Sequence, residues 1–122
     1  MSRDIKCLAL FALFCASCSQ NAPTIALRQL QGEYLGGTCP PIVISGKTLK
    51  TDAWETPFTL VRIKQQDLLE TADSPRYLLG NECELVLVGK PGYIALKNVN
   101  GNVTFEVLSA DRTHSIRFAK AG

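Results

Sequence analysis

The sequence has little of the chemistry on which most active sites depend. Its 122 residues include a single histidine, His114, placed beside a predicted turn. It contains neither a Gly-x-Ser-x-Gly turn, which would present a nucleophilic serine, nor a glycine-rich loop that could cradle phosphate groups. These absences predict that the protein is not an enzyme and needs no cofactor, and they favour a solvated turn position for His114.

Two groups of acidic residues are the remaining candidates for chemistry. Glu82 and Glu84 lie on the same side of one predicted strand, as paired catalytic carboxylates would, or as part of a solvated face. Asp67, Glu70 and Asp73 are spaced by three and could meet on a helical turn. That stretch lacks the glycine and the dense run of oxygen ligands that calcium loops use, so we predict no metal site.

Long apolar runs are also missing. The longest apolar run, Cys7 to Ala16, is uncharged and follows a basic start at Arg3 and Lys6. It is shorter than the roughly 20 residues that a membrane-spanning helix needs, and a basic start before a short apolar run is typical of a secretory signal. A buried core helix is the alternative, but the run shows no amphipathic alternation.

The end of this run resembles the lipobox of bacterial lipoproteins. In that family a cysteine preceded by two small residues becomes the lipidated first residue of the mature chain, and Ala16-Ser17-Cys18 matches this core. Cys15 stands where the family usually has leucine. The resemblance implies a signal peptide at 1–17, a lipid on Cys18 and a place in the bacterial envelope. Ser19 after the cysteine then implies the periplasmic side of the outer membrane in a Gram-negative host.

Ordinary signal cleavage after Ser19 or Ala22 is the alternative, and it would give a secreted or soluble periplasmic protein. In either case we expect a short tether at 18–26 and one β-domain at 27–122. Cys39 and Cys83 are the only cysteines within that domain, so we predict that they form a disulfide in an oxidising compartment.

The second half of the chain predicts a β-meander. Four strand-like runs are separated by Gly-Lys-Pro-Gly, Asn-Gly and Asp-Arg turns, namely 82–88, 93–99, 102–108 and 114–120. The predicted register sets Leu85 against Leu96, Leu96 against Phe105, and Phe105 against Phe118, which collects the apolar side chains on one face.

The first half adds less regular strands at 31–35, 41–45, 47–50 and 58–64, with 66–72 left as a loop or a helical turn. About eight short antiparallel strands with one apolar face must close on themselves or pack on a second sheet. We therefore predict an all-β fold, a small barrel or a sandwich, with the barrel preferred.

Two surfaces are predicted to bind a partner. Trp54 lies in a polar loop, where it is either an interface anchor or a plug in the open end of a barrel. Val88, Tyr93 and Leu108 gather on the face opposite the main core, either as a partner patch or as a minor core under a loop.

A net charge of +2 gives no sign of a nucleic-acid footprint or of an acidic-lipid patch. In size, lipobox and β-rich layout the chain is similar to the lysozyme-inhibitor lipoproteins. We expect an envelope-tethered protein-binding module, held to the membrane by its lipid, such as an inhibitor or immunity factor against a cell-wall hydrolase. The alternatives are a lipocalin-like carrier of small ligands, suggested by Leu30-Gln-Gly-Glu-Tyr34 before the meander, and a structural envelope lipoprotein.

Overall fold

The computed structural model describes residues 22–78 and 80–121. The predicted signal peptide and Cys18 lie outside these residues. The described chain forms one short helix, α1 (Leu27–Leu30), and ten strands. The strands are β1 (Gly32–Leu35), β2 (Ile42–Ser45), β3 (Thr48–Lys50), β4 (Glu55–Ile63), β5 (Gln66–Thr71), β6 (Pro75–Leu78), β7 (Glu84–Leu87), β8 (Gly92–Val99), β9 (Asn102–Leu108) and β10 (Ser115–Lys120).

Eight of the strands close a barrel in the order β1, β10, β9, β8, β5, β4, β3, β2. Every neighbouring pair in the barrel is antiparallel. Closure leaves no barrel strand with an edge open along its whole length, which removes a site for edge-to-edge aggregation. The predicted all-β fold is confirmed, as a barrel.

The predicted register of β9 with β10, and of β8 with β9 next to their turn, is confirmed as well. Leu96 pairs with Phe105 across β8 and β9, and Phe105 pairs with Phe118 across β9 and β10. The turn between β8 and β9 has Asn100 at φ 54° and Gly101 at φ 85°, the left-handed geometry that two-residue hairpins favour. Local turn chemistry and alternation were therefore sufficient to fix this part of the sheet.

The predicted pairing of 82–88 with 93–99 is wrong. Strand β7 pairs with β6 in a separate two-stranded hairpin, where Leu85 lies opposite Tyr77. Strand β8 pairs with β5 instead, so Ile94 lies opposite Leu69. The Gly-Lys-Pro-Gly segment therefore links the hairpin to the barrel and does not join two paired strands.

The prediction of a loop or helical turn at 66–72 is also wrong, because this segment is strand β5. Its inward positions are Asp67, Leu69 and Thr71, all buried. Two of the three are polar, so the apolar alternation that marks a strand is missing from the sequence. Asp67 and Glu70 consequently point to opposite faces, and the described residues contain no cluster of potential metal ligands.

Side chains fill the interior of the barrel. Tyr34, Phe105 and Phe118 are 0%, 1% and 0% exposed, and the ring of Phe105 lies 5.0 Å from that of Tyr34 and 5.6 Å from that of Phe118. Aliphatic residues of the other strands complete the core, including Ile44 and Leu69. An eight-stranded barrel encloses a space that side chains can fill, and in this protein they do.

The chain before β1 covers one end of the barrel, here called the helix end. Ile25 and Leu30 are buried in the core, and the Tyr34 hydroxyl donates to the carbonyl of Leu30 at 2.8 Å. Asp67 accepts hydrogen bonds from the amides of Thr24 and Ile25. Within the described residues, hydrogen bonds to the barrel wall thus begin at Thr24.

The β6–β7 hairpin covers the opposite end, here called the hairpin end. Tyr77 and Leu85 are 5% exposed and belong to the core. A disulfide joins Cys39, in the loop after β1, to Cys83, just before β7, which confirms the predicted pair. Closing a loop with a sequence separation of 44 residues corresponds to about 4 kcal/mol in the chain-entropy model.

Candidate functional site

Strands β8 and β9 separate near the hairpin end. Their pairing runs from Val99 and Asn102 up to Leu96 and Phe105 and stops there. Beyond that point β8 pairs only with β5, while β9 pairs only with β10. Strand β6 lies beside the gap, where Tyr77 forms a parallel bridge to Ser109. The hairpin thus occupies a place where the barrel wall has opened.

A surface cleft of about 240 Å³ lies along this opening, here called the seam cleft. Strands β6, β8 and β9 supply its lining, which is Pro75, Arg76, Tyr93, Ile94, Ala95, Glu106, Val107 and Leu108. Tyr93 is 56% exposed and Leu108 is 39% exposed. Large side chains that stay this exposed beside a concave surface are typical of protein-interaction sites.

One basic side chain, Arg76, and one acidic side chain, Glu106, line the seam cleft. The guanidinium of Arg76 is partly buried, and this burial, together with the positive charge of Arg112, lowers its pKa. No carboxylate of the described residues lies within salt-bridge distance of Arg76. An arginine in such a setting favours a negatively charged group on a bound partner.

The hydroxyl of Tyr93 lies at the edge of the cleft and donates to Glu70 Oε2 at 3.3 Å. The negative charge of Glu70 and this hydrogen bond raise the pKa of Tyr93. Tyr93 therefore stays a neutral hydrogen-bond donor with an exposed ring, and it does not act as a base.

The structure brings two of the predicted binding residues together and separates the other two. Tyr93 and Leu108 both line the seam cleft. Val88 is 40% exposed in the connection after β7 and is not among the lining residues. Trp54 is partly buried against the core, and its Nε1–H donates to the carbonyl of Leu85 at 2.9 Å. Trp54 therefore contacts the β6–β7 hairpin through this hydrogen bond.

The loop between β9 and β10 contains a serine, an aspartate and a histidine, the residue types of a catalytic triad. Their hydrogen bonds are not those of a triad. The Ser109 hydroxyl donates to Asp111 and accepts from the amide of His114, while the ring of His114 contacts the hydroxyl of Thr113 at 2.8 Å. Serine and the imidazole ring are thus not paired as nucleophile and base. Hydrogen bonds from Thr113 and Ser109 lower the pKa of Asp111 to about 2, so this network holds the loop in shape.

The remaining acidic candidates, Glu82 and Glu84, lie at the start of β7. Glu82 precedes β7 and Glu84 begins it, and both are exposed. Glu84 lies opposite Leu78 in the hairpin.

Arg76 is the cleft residue that the sequence did not reveal. Ser74-Pro75 marked the segment as a turn, and the following residues carry too short an alternation to predict a strand. The position of Arg76 depends on contacts that are distant in sequence. Next to it, the carbonyl of Tyr77 accepts a hydrogen bond from the amide of Ala110, just after β9, at 2.9 Å.

Comparisons of the chain with protein-family models, with curated proteins and with solved structures returned no match. Among the described residues, no helix is long and apolar enough to cross a membrane.

Proposed function

We propose that this protein is an envelope-tethered protein-binding module that contacts its partner through the seam cleft. The observation that carries the proposal is the combination of a filled interior with an open, partly apolar cleft on the outer wall. Tyr34, Phe105 and Phe118 take up the space that a lipocalin-like carrier would keep for its ligand. Binding is therefore directed to the outside of the barrel.

The seam cleft has the composition of a binding hot spot. Tyrosine and arginine are enriched among residues that dominate interface energies, and Tyr93 and Arg76 both line the cleft together with exposed Leu108. Strands β5 and β10 hold the two walls, so the site is preorganised and little entropy is lost on binding.

The partner class follows from the charge. A guanidinium that is partly desolvated and lacks a carboxylate in the described chain would gain most from a carboxylate on the partner. Most glycoside hydrolases carry a pair of carboxylates in the active site. We therefore propose a cell-wall hydrolase as the partner, with this protein acting as its inhibitor or immunity factor.

Anchoring completes the proposal. The Ala16-Ser17-Cys18 match supports a lipid on Cys18, with the domain on the periplasmic side of the outer membrane. Thr24 is already fixed to the barrel by Asp67, so the linker from Cys18 is short and would keep the module at the membrane.

Photo-crosslinking in the host tests the binding surface. A benzoylphenylalanine would replace Tyr93 or Leu108, and a matched control would replace Val99, an apolar residue 55% exposed at the helix end. We expect one shared adduct from positions 93 and 108, identified by mass spectrometry as a wall hydrolase, and no such adduct from position 99. Equal adducts at all three positions, or none from 93 and 108, would contradict the proposal and favour a structural role.

A further inference from the structure

The near-neutral chain separates its charges between the two ends of the barrel. At the helix end the exposed basic side chains come from α1, two hairpin turns and the adjoining ends of β8 and β10. They are Arg28, Lys47, Lys64, Lys97 and Lys120, here called the basic end.

Few acidic groups offset the basic end. Asp67 is buried there and is paired with Arg62 at 2.7 Å, so its charge is compensated internally. Glu33 on β1 is the other acid at this end. Most acids lie toward the hairpin end, in the loops around β4, β6, β7 and β10, namely Asp52, Glu55, Asp73, Glu82, Glu84 and Asp111. The net charge alone conceals this separation.

The outer wall beside the basic end is concave. A groove of about 570 Å³ runs across β8, β9 and β10, and its basic lining residues are Lys97, Arg117 and Lys120. No acidic side chain of the described residues lines it. Arg117 is paired with Glu106 only at 4.0 Å and with both side chains well exposed, which leaves its guanidinium free to bind another anion.

Apolar side chains accompany the charges. Ile63, before the β4–β5 turn, is 42% exposed, and Val99, before the β8–β9 turn, is 55% exposed. These strand ends lie at the same end of the barrel because β5 and β8 are antiparallel neighbours. Lysines beside exposed aliphatic residues suit the headgroup region of a bilayer, where the amines meet phosphates and the methyl groups leave water.

The start of the domain enters from this same end. Asp67 Oδ2 accepts hydrogen bonds from the amide and hydroxyl of Thr24 and from the amide of Ile25. Thr24 is only six positions after Cys18, a reach of about 20 Å at full extension. A lipid on Cys18 would therefore hold the basic end, and not the seam cleft, next to the bilayer.

We propose that the basic end is a docking surface for an anionic phospholipid membrane, with lipid phosphates bound in the groove lined by Lys97, Arg117 and Lys120. This goes beyond the proposed protein partner, because it concerns the opposite end of the barrel. It gives the molecule an orientation, with the basic end on the membrane and the seam cleft turned toward the periplasm.

Vesicle binding of the full, unlipidated chain tests the proposal. Its affinity would be measured for phosphatidylcholine vesicles and for mixed phosphatidylcholine and phosphatidylglycerol vesicles, and the ratio gives the anionic preference. Lys47→Glu, Lys64→Glu and Lys97→Glu are combined in one variant. The control combines Lys50→Glu, Lys90→Glu and Arg112→Glu toward the hairpin end, which changes the net charge equally and, like the first set, includes one residue with positive φ.

Each basic residue near an anionic membrane is worth about fivefold in affinity. Loss of three positive charges alone should therefore lower the anionic preference of the basic-end variant by at least roughly 100-fold, whereas the control should stay close to the native value. The preference should also weaken at high salt because the charges are screened. Arg3 and Lys6 contribute equally in all three proteins.

An equal loss in both variants would show an effect of net charge alone, and no loss in either would show that the anionic preference does not come from the basic end. Either result overturns the proposal, provided that circular dichroism shows all three proteins folded. The assay contains no protein partner, so its outcome is independent of binding at the seam cleft.

Discussion

Replacing Asp67 with asparagine would test whether the segment before β1 is an integral part of the barrel. The Asp67 side chain is 3% exposed and its Oδ1 accepts a hydrogen bond from Arg62 at 2.7 Å. Its Oδ2 accepts from the amide and hydroxyl of Thr24 at 2.9 and 2.8 Å and from the amide of Ile25 at 2.7 Å. Asparagine keeps the size but removes the charge and converts one acceptor into a donor.

The cost follows from these contacts. Hydrogen bonds to a charged group contribute about 1.5 to 3 kcal/mol each, and removing one partner of a buried ion pair costs roughly 3 to 5 kcal/mol. Asparagine retains one acceptor oxygen, so part of the network survives. We expect the free energy of unfolding to fall by about 2 to 3 kcal/mol.

The effect should depend on pH. Burial of the Asp67 carboxyl opposes ionisation, but hydrogen bonds from Ile25, Thr24 and Arg62 outweigh it and lower the pKa below the ordinary value of 3.8. The stabilisation is therefore fully present above pH 3.8 and is lost as the pH falls through the folded-state pKa. The difference between native protein and Asp67→Asn should be constant near neutrality and shrink in strong acid.

Urea unfolding at a series of pH values would measure this difference, and hydrogen exchange would report on the amides of residues 24–30. Asp52→Asn, at an exposed acid, serves as the control and should change stability by no more than about 0.5 kcal/mol. If Asp67→Asn matches this control at neutral pH, or if its amides at 24–30 keep their protection, the segment is not held as described.

Three further outcomes are expected. Replacing Cys39 and Cys83 with serine should lower the free energy of unfolding by up to about 4 kcal/mol, measured by urea denaturation, and an unchanged stability would show that the disulfide is dispensable. Trp54→Phe removes the donor to the Leu85 carbonyl and should lower the free energy of unfolding by about 1 to 2 kcal/mol in the same assay. An unchanged free energy would show that this hydrogen bond does not stabilise the fold. Labelled fatty acid should enter the native protein and not its Cys18→Ser variant, and equal labelling of both would exclude lipidation at Cys18.

Local signals explain the parts of the fold that the sequence predicted. The Asn100-Gly101 turn and the alternation on β8, β9 and β10 agree with each other, and a slip by one residue would have turned Phe105 outward. The disulfide also followed from simple counting, because only two cysteines remained in the domain.

The misassigned parts depend on signals that are absent or distant. Strand β5 was missed because Asp67 and Thr71 occupy inward positions, and because its hairpin turn uses Lys64 and Gln65 at φ 52° and 66° where glycine or asparagine is usual. The pairing of β8 with β5 joins residues separated by the whole β6–β7 hairpin. Alternation and turns predict pairing between runs that are adjacent in sequence, such as 82–88 and 93–99. They therefore do not predict the opening between β8 and β9 in which the seam cleft lies.

The affinity of a purified partner for cleft variants would show whether binding runs through the seam cleft. Once the crosslinked partner is in hand, titration calorimetry would compare the native protein with Tyr93→Ala, Arg76→Ala and Val99→Ala, each shown to be folded. Truncating a hot-spot residue commonly costs about 2 kcal/mol or more, so the first two changes should each weaken binding about 30-fold, and the third should leave it intact. If both cleft variants kept the native affinity and Val99→Ala lost binding, the partner would bind at the helix end. That result would contradict binding at the seam cleft.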